Sequence, residues 1–474
     1  MTMAMINLKG LVDKTEMKQF LLLALPLLIG NLSQTGMGVV DTLVAGRAGP
    51  DDLAAVALGF SIATPVTLAC TGLLSILGPM IARLRGENRH GRIGHLMHNG
   101  VVLALMLSVL AMAAMFFLSP VLGWLADEAA VGEMAEDYLM AVMCGVPGVL
   151  CFCALRSLNE GFAMTRPAMI VGIAALLVNI PANYVLVFGY FGLPKLGGVG
   201  CGVATALINW LQLGVMLLLV WSHKKHAPHR KQMVAVRKPA WKTVGAISKL
   251  GFPLGVSLLC EVSFFSASTL VLAPLGKIVV GAHQVCINVS AMAFMLPLSV
   301  AVASSIRMAY FVGRKDLVRF DLLTRTSCAC MAVITTVLMT VLICFRVQIA
   351  ELFQPGNASL VEVARVLLVL CALYQIPDSM QALCGGFLRG CHDTQVIFRV
   401  NMLCYWGVGL PLCYVLSRTD WLVPAMGAAG AWTSFIVALS LTALLLVRRF
   451  MRTRRVLFAR IQGEESRAKQ GRLS

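Results

Sequence analysis

Glu261 and Asp378 are carboxylic acids embedded in long apolar stretches, and their isolation is the first chemical feature of the chain. Lys249 and Lys277 flank Glu261 at twelve and sixteen residues, and Arg365 and Arg389 flank Asp378 at thirteen and eleven. With a rise of about 1.5 Å per helical residue, each acid lies near the middle of its span. A carboxylate there costs roughly 2.5–3.5 kcal/mol even on a mild insertion scale. No Lys or Arg occupies the middle of any span to neutralise the pair, so the remaining options are a proton, a metal cation or a cationic substrate. Tyr374 lies one turn before Asp378 and shares its helical face. Pro377 lacks an N–H and should free the carbonyl of Leu373. Carboxylate, phenol and carbonyl oxygens together suit a hard cation such as Na⁺, with Glu261 and Asp378 as the metal-ligand candidates.

A second polar group lies in the first half of the chain. Asp41, a further candidate for cation binding, stands only six residues before Arg47, which predicts a position near the outer end of the first span. Asn179 and Asn183 are one turn apart on the fifth span, where amides also serve as interhelical glue. Phe265 is one turn from Glu261 and can hold a flat cation by cation–π contact. His283 and Gln284, near the start of the eighth span, complete the set of candidates for substrate contact with Gln34, Asn179, Asn183 and Phe265.

These residues need a membrane scaffold. Of 474 residues, 58% are apolar and 13% charged, about half the charge of a soluble domain, and at about 20 residues per crossing that composition fills about twelve helices. Apolar stretches fall near 17–46, 54–82, 96–119, 134–156, 167–191, 197–221, 245–272, 278–306, 326–346, 362–386, 396–416 and 424–449. The first is too long for a signal peptide and is read as a retained helix. The net charge of +17 is concentrated beside the spans: Lys224, Lys225, Arg230, Lys231, Arg237, Lys238, Lys242 and Lys249 in one segment, six arginines from Arg448 to Arg460, and Arg83, Arg85, Arg89 and Arg92 in a third. Asp127, Glu128 and Glu133 mark an opposite loop. Positive segments face the cytoplasm, which places both termini there, requires an even number of spans and makes nucleic acid an unneeded explanation for the charge.

The two halves repeat. A shift of 227 carries Pro26 onto Pro253, Gly49 onto Gly276, Gly86 onto Gly313 and Arg92 onto Arg319. A shift of 230 then carries Pro147 onto Pro377, Pro181 onto Pro411 and Tyr184-Val185-Leu186 onto Tyr414-Val415-Leu416. The first shift also places Gln34 on Glu261, so the halves have diverged in ion chemistry. The expected fold is an all-α polytopic membrane protein, with two six-helix lobes related by a pseudo-twofold along the membrane normal and facing one another across a cleft. Its expected divisions are an N-lobe at 1–221, a cytoplasmic basic linker at 222–244, a C-lobe at 245–449 and a basic cytoplasmic tail at 450–474. Fifteen cysteines without a Cys-x-x-Cys read as small buried hydrophobes. There is no Walker A, His-Glu-x-x-His, Gly-x-Ser-x-Gly or haem-attachment motif. The expectation is therefore a carrier driven by an ion gradient, without cofactor or catalytic residue.

The pattern resembles the multidrug and toxic compound extrusion (MATE) family, and more closely its NorM-type bacterial branch, over residues 17–449. The resemblance rests on Ala24-Leu25-Pro26, Val39-Val40-Asp41-Thr42 with Ala45-Gly46, the run Asp52 to Gly59, Gly281-Ala282-His283-Gln284, Asn179-x-x-x-Asn183, Gly198-Val199-Gly200-x-Gly202, Glu261 and Tyr374-x-x-x-Asp378. It implies rocker-switch export of organic cations, drugs and dyes among them, in exchange for Na⁺ or H⁺, by a monomer in the inner membrane. The NorM-type cation site would map to Glu261, Asp378 and Tyr374. In the related DinF-type branch the ion site lies in the first lobe, where Asp41 is matched but Asn183 stands in place of the second acid. That departure favours second-lobe Na⁺ coupling. A lipid-linked precursor flippase of the same broad superfamily is the alternative, and it would need a cationic cleft for pyrophosphate where this chain places acids.

Overall fold

The computed structural model describes residues 14–126, 128–223, 226–229, 238–353, 358–421 and 423–470. Asp127, Lys224, Lys225, Arg230, Lys231 and Arg237, all used in the orientation argument, lie outside them. Among the described residues twelve helices are long and apolar enough to cross a membrane. They are α1 (Glu16–Ala48), α2 (Pro50–Gly86), α3 (His90–Leu125), α4 (Ala129–Gly161), α5 (Arg166–Phe188), α6 (Gly198–Ser222), α7 (Trp241–Leu275), α8 (Lys277–Arg314), α9 (Leu317–Cys344), α10 (Ala358–Gly390), α11 (Thr394–Arg418) and α12 (Ala428–Glu464). Each expected span has its helix. Side chains such as Val109, Phe117, Leu177, Leu218, Leu270 and Val333 are exposed on the spans, as a surface solvated by hydrocarbon requires.

Several helices outrun their apolar stretches because charged ends find partners. The last helix continues to Gln470 instead of ending before a separate tail. Arg449 donates to Asp393 at 2.7 Å, and Arg454 holds both oxygens of Asp321 at 2.8 and 2.7 Å. The opposite stripe, Arg448, Arg452 and Arg455, is exposed. Prolines 26, 147, 181, 253 and 377 sit inside helices, which membrane proteins tolerate where neighbouring groups satisfy the freed carbonyls.

The chain forms two compact units, one comprising Leu25–Leu259 and the other the residues up to Ala24 together with Cys260–Ser474. Both divisions fall inside helices, α1 and α7. A local reason is visible at the start of α1, where Glu16 is ion-paired with Arg307 of α8 and Gln19 accepts from the same guanidinium at 3.2 and 3.3 Å. A buried pair of this kind ties the first turns of α1 to the second unit.

Small residues permit the closest helix contacts. In the second unit α10 presents Gly386 and Gly390 to α8; a Cβ at Gly386 would collide with the carbonyl of Ala301, and one at Gly390 would lie 2.7 Å from that of Ser305. Gly385 has nothing within 4 Å of such an atom. Gly390→Ala is therefore expected to lower the apparent melting temperature in detergent by the equivalent of about 1–3 kcal/mol of overpacking, while Gly385→Ala leaves it near the parent value.

Candidate functional site

In the second unit α7 carries Glu261 and Phe265, α10 carries Tyr374 and Asp378, and the fold brings all four together. Asp378 is 1% exposed. Its carboxyl interacts electrostatically with Glu261 and the Tyr374 hydroxyl, and both acids also act on the hydroxyl of Tyr405 from α11. Among the described residues no cationic side chain acts on either acid. Asp378 Oδ1 faces the Gln381 amide nitrogen at 3.5 Å, and Oδ2 has no hydrogen-bond partner. One carboxylate oxygen thus stands ready for a ligand, with a second acid and a phenol beside it.

Aromatic rings wall this group. Tyr374 meets Trp432 edge-on with ring centres 5.6 Å apart, and Phe265 and Phe435 at 6.4 and 6.5 Å. Phe264 is fully buried against Tyr405 and Phe435, whereas Phe265 is half-buried, so of the two neighbours Phe265 keeps accessible ring surface. His283 is buried against Trp432 and Phe435; the adjacent Gln284 is exposed and is not drawn into the acid group.

A separate group forms in the first unit. Asp41 is buried there. Helices α5 and α6 cover it: Asn183 and Asn179 donate to Oδ1 at 2.8 and 3.3 Å, and Thr205 donates to Oδ2 at 2.8 Å. The amide oxygens of Asn179 and Asn183 have no hydrogen-bond partner. Gln34 lies two turns before Asp41 on α1 and is half-buried. Each Asp41 oxygen is already engaged by neutral donors, in contrast to Asp378. Thr205→Val removes one donor, and its expected effect is a loss of about 1 kcal/mol of stability, read from denaturation of purified protein.

Sequence reasoning missed Thr205, Gln381 and Tyr405. Gln381 is three residues from Asp378 and shares its face, so helical spacing alone could have found it. Thr205 and Tyr405 had no local signal, since their partners are 164 and 24 residues away.

The chain matches a family model described as MatE over residues 26–185 and 253–415. The chain belongs to the MATE family. The two matched segments begin and end at offsets of 227 and 230, the same shifts that align the halves of the sequence. The chain is 40% identical over 437 residues, covering 92% of it and 95% of the relative, to the multidrug resistance protein MdtK of Yersinia pseudotuberculosis. Over 443 residues, with the same shares covered, it is 40% identical to the multidrug resistance protein NorM of Vibrio cholerae. Among solved structures it is similar to the MATE transporter NorM-NG in complex with rhodamine 6G and a monobody, with 31% identity, a TM-score of 0.78, and 92% of this chain and 94% of that one covered. As a MATE protein the chain is a multi-pass membrane transporter and not an enzyme.

Proposed function

We propose that this chain is a multidrug efflux antiporter that exports organic cations in exchange for Na⁺, with Glu261, Asp378 and Tyr374 forming the coupling site. The observation that carries the reading is the Asp378 carboxyl, buried beside a second acid, with one oxygen unpartnered and no cationic side chain acting on it. Relatives named for multidrug resistance, and one solved in complex with rhodamine 6G, support the substrate class. Phe265 offers a ring face to a flat cation, Gln34, Asn179, Asn183 and Gln284 are further candidates for substrate contact, and Asp41 is a further candidate for cation binding. Gly281-Ala282-His283-Gln284 and the acid pair favour this reading over a flippase, which would meet negative charge where it needs positive.

Exchange follows if ion and drug compete for the acids. An ion that weakens drug binding is itself weakened equally by drug, so the outward-facing carrier releases drug as the ion enters. Rocking of the two units, the rocker-switch form of alternating access, then carries the ion inward. One inward monovalent ion supplies about 2.3 kcal/mol per 100 mV when the exported drug is neutral, and a tenfold gradient adds about 1.4 kcal/mol; one-for-one exchange with a monocation loses the electrical part and runs on the gradient alone. The distribution of basic residues in the sequence supports a cytoplasmic position for both termini, and the reading takes the carrier as a monomer in the inner membrane.

The test is efflux of rhodamine 6G from proteoliposomes with an imposed Na⁺ or H⁺ gradient. Na⁺-driven transport is expected. Export driven by H⁺ alone would transfer the coupling role to the proton, and no response to either gradient would overturn the antiport reading.

A further inference from the structure

Asp378 and Glu261 are held by different helices, and a single eight-residue stretch of α11 reaches both. Met402–Gly409 is π-helical, a form that is rare and frequently found at functional sites. Tyr405, fully buried within it, donates its hydroxyl to the Gln381 carbonyl oxygen at 2.8 Å. That bond orients the amide, because with its oxygen engaged by Tyr405 the nitrogen must face Asp378 Oδ1, which lies 3.5 Å away. The next residue, Trp406, donates its indole N–H at 3.3 Å to the carbonyl of Cys260, immediately before Glu261. Met402 meets the Cys260 sulfur at 3.7 Å. The stretch ends at Gly409, where a Cβ would lie 2.8 Å from the Phe264 ring and 3.0 Å from Ala438. Phe264 in turn stacks on Tyr405 with ring centres 5.4 Å apart and planes 9° from parallel.

Resting on the antiport reading above, we propose that Tyr405 and Gln381 are positioning residues of the cation site, held by the π-helical stretch, and that they orient the Asp378 carboxyl so that Oδ2 is left open to the ion. The Gln381 amide N–H is directed at Oδ1, leaving Oδ2 for the ion. The hydrogen bond from the Tyr405 hydroxyl to the amide oxygen holds the amide in this orientation. The titratable groups around Asp378 are Glu261 from α7, Tyr374 and Cys371 from its own helix, and Tyr405 from α11. From α8, His283 packs behind Trp432 and Phe435, and Cys286 lies against Cys371.

Tyr405→Phe keeps the ring stacked on Phe264 and removes only the hydroxyl; Gln381→Met keeps the length and removes both amide atoms. Rhodamine 6G efflux from proteoliposomes is measured against Na⁺ concentration at two pH values for the wild type, both variants and the double variant. Each single variant is expected to raise the half-saturating Na⁺ concentration at least fivefold and to leave the rate at saturating Na⁺ near the wild-type value at both pH values. Because Tyr405 acts through Gln381, the double variant should match Gln381→Met alone. A Na⁺-responsive wild type with an unchanged half-saturating concentration in Tyr405→Phe overturns the positioning role only. Additive effects in the double variant, or a loss of maximal rate without a change in Na⁺ dependence, do the same. A wild type that responds to no ion gradient overturns the antiport reading and this inference with it.

Discussion

Asp378→Asn is expected to abolish ion-driven export while leaving the helices folded. The amide has almost the shape of the acid and removes only the charge. A monovalent ion about 4 Å from an unneutralised carboxylate gains about 4 kcal/mol at an effective dielectric constant of about 20, which corresponds to roughly a thousandfold in affinity. Among the described residues no side-chain cation acts on Asp378, so an ionised carboxylate there is free to serve an ion. The fold should not suffer, because a buried carboxylate with an unpartnered oxygen stabilises nothing that its amide cannot. Gradient-driven rhodamine 6G efflux in proteoliposomes should fall to the protein-free background, with helical content and melting temperature unchanged. Glu261→Gln should act in the same direction but less severely, because Glu261 is half-buried and Asp378 fully buried. Normal gradient-driven export in both variants would reject the second-unit site.

The membrane scaffold was legible because a membrane span is a local property of the chain. Twenty consecutive apolar residues need no knowledge of their neighbours, and each expected stretch became a helix. The repeat was legible for a related reason: Pro26 and Pro253 shape their helices in similar ways, and the shared offsets survive as features of each half. Helix ends were less readable. Arg449 and Arg454 looked like a charged tail, but Asp393 and Asp321 hold them along a continuous helix. Tertiary pairs such as Glu16 with Arg307 were not readable, since nothing local marks residues so far apart as partners.

The site divided along the same line. Glu261, Tyr374 and Asp378 stood out because an acid in hydrocarbon is anomalous wherever it occurs. Tyr405 did not, because a tyrosine in a span is ordinary until its hydroxyl is seen to select one face of the Gln381 amide. The π-helical stretch was hidden for a different reason. Its composition, Met-Leu-Cys-Tyr-Trp-Gly-Val-Gly, is that of any apolar helix, and the widened turn arises from what it packs against. Asp41 was found as a residue, but its hydrogen bonds were not, since a short distance along the chain to Arg47 says nothing about the amides that α5 folds over it.

Asp41→Ala and Asp41→Asn are expected to differ sharply in stability. In the alanine variant, Asn179, Asn183 and Thr205 all lose the acceptor they now share. An orphaned buried donor costs about 1–3 kcal/mol, so three of them, even with partial relaxation, amount to roughly 3 kcal/mol or more. Asparagine can keep the arrangement: its carbonyl oxygen replaces Oδ1 for the two amides, and its amide nitrogen donates to the Thr205 hydroxyl, which turns from donor to acceptor. Denaturation of purified protein should therefore show Asp41→Ala strongly destabilised and Asp41→Asn close to wild type, with Asp41→Asn/Thr205→Val weaker than either of its parents because the new amide donor loses its acceptor. Equal stability of the alanine and asparagine variants would mean that the three donors find other partners. The asparagine variant also separates structure from charge, because it retains the hydrogen-bond geometry while removing the negative charge from the first unit. Reduced rhodamine 6G affinity in Asp41→Asn, with Na⁺-driven turnover otherwise intact, would assign Asp41 to the substrate and leave ion coupling to Glu261 and Asp378. Loss of Na⁺ dependence instead would place part of the coupling in the first unit, where Asn183 stands in place of a second acid.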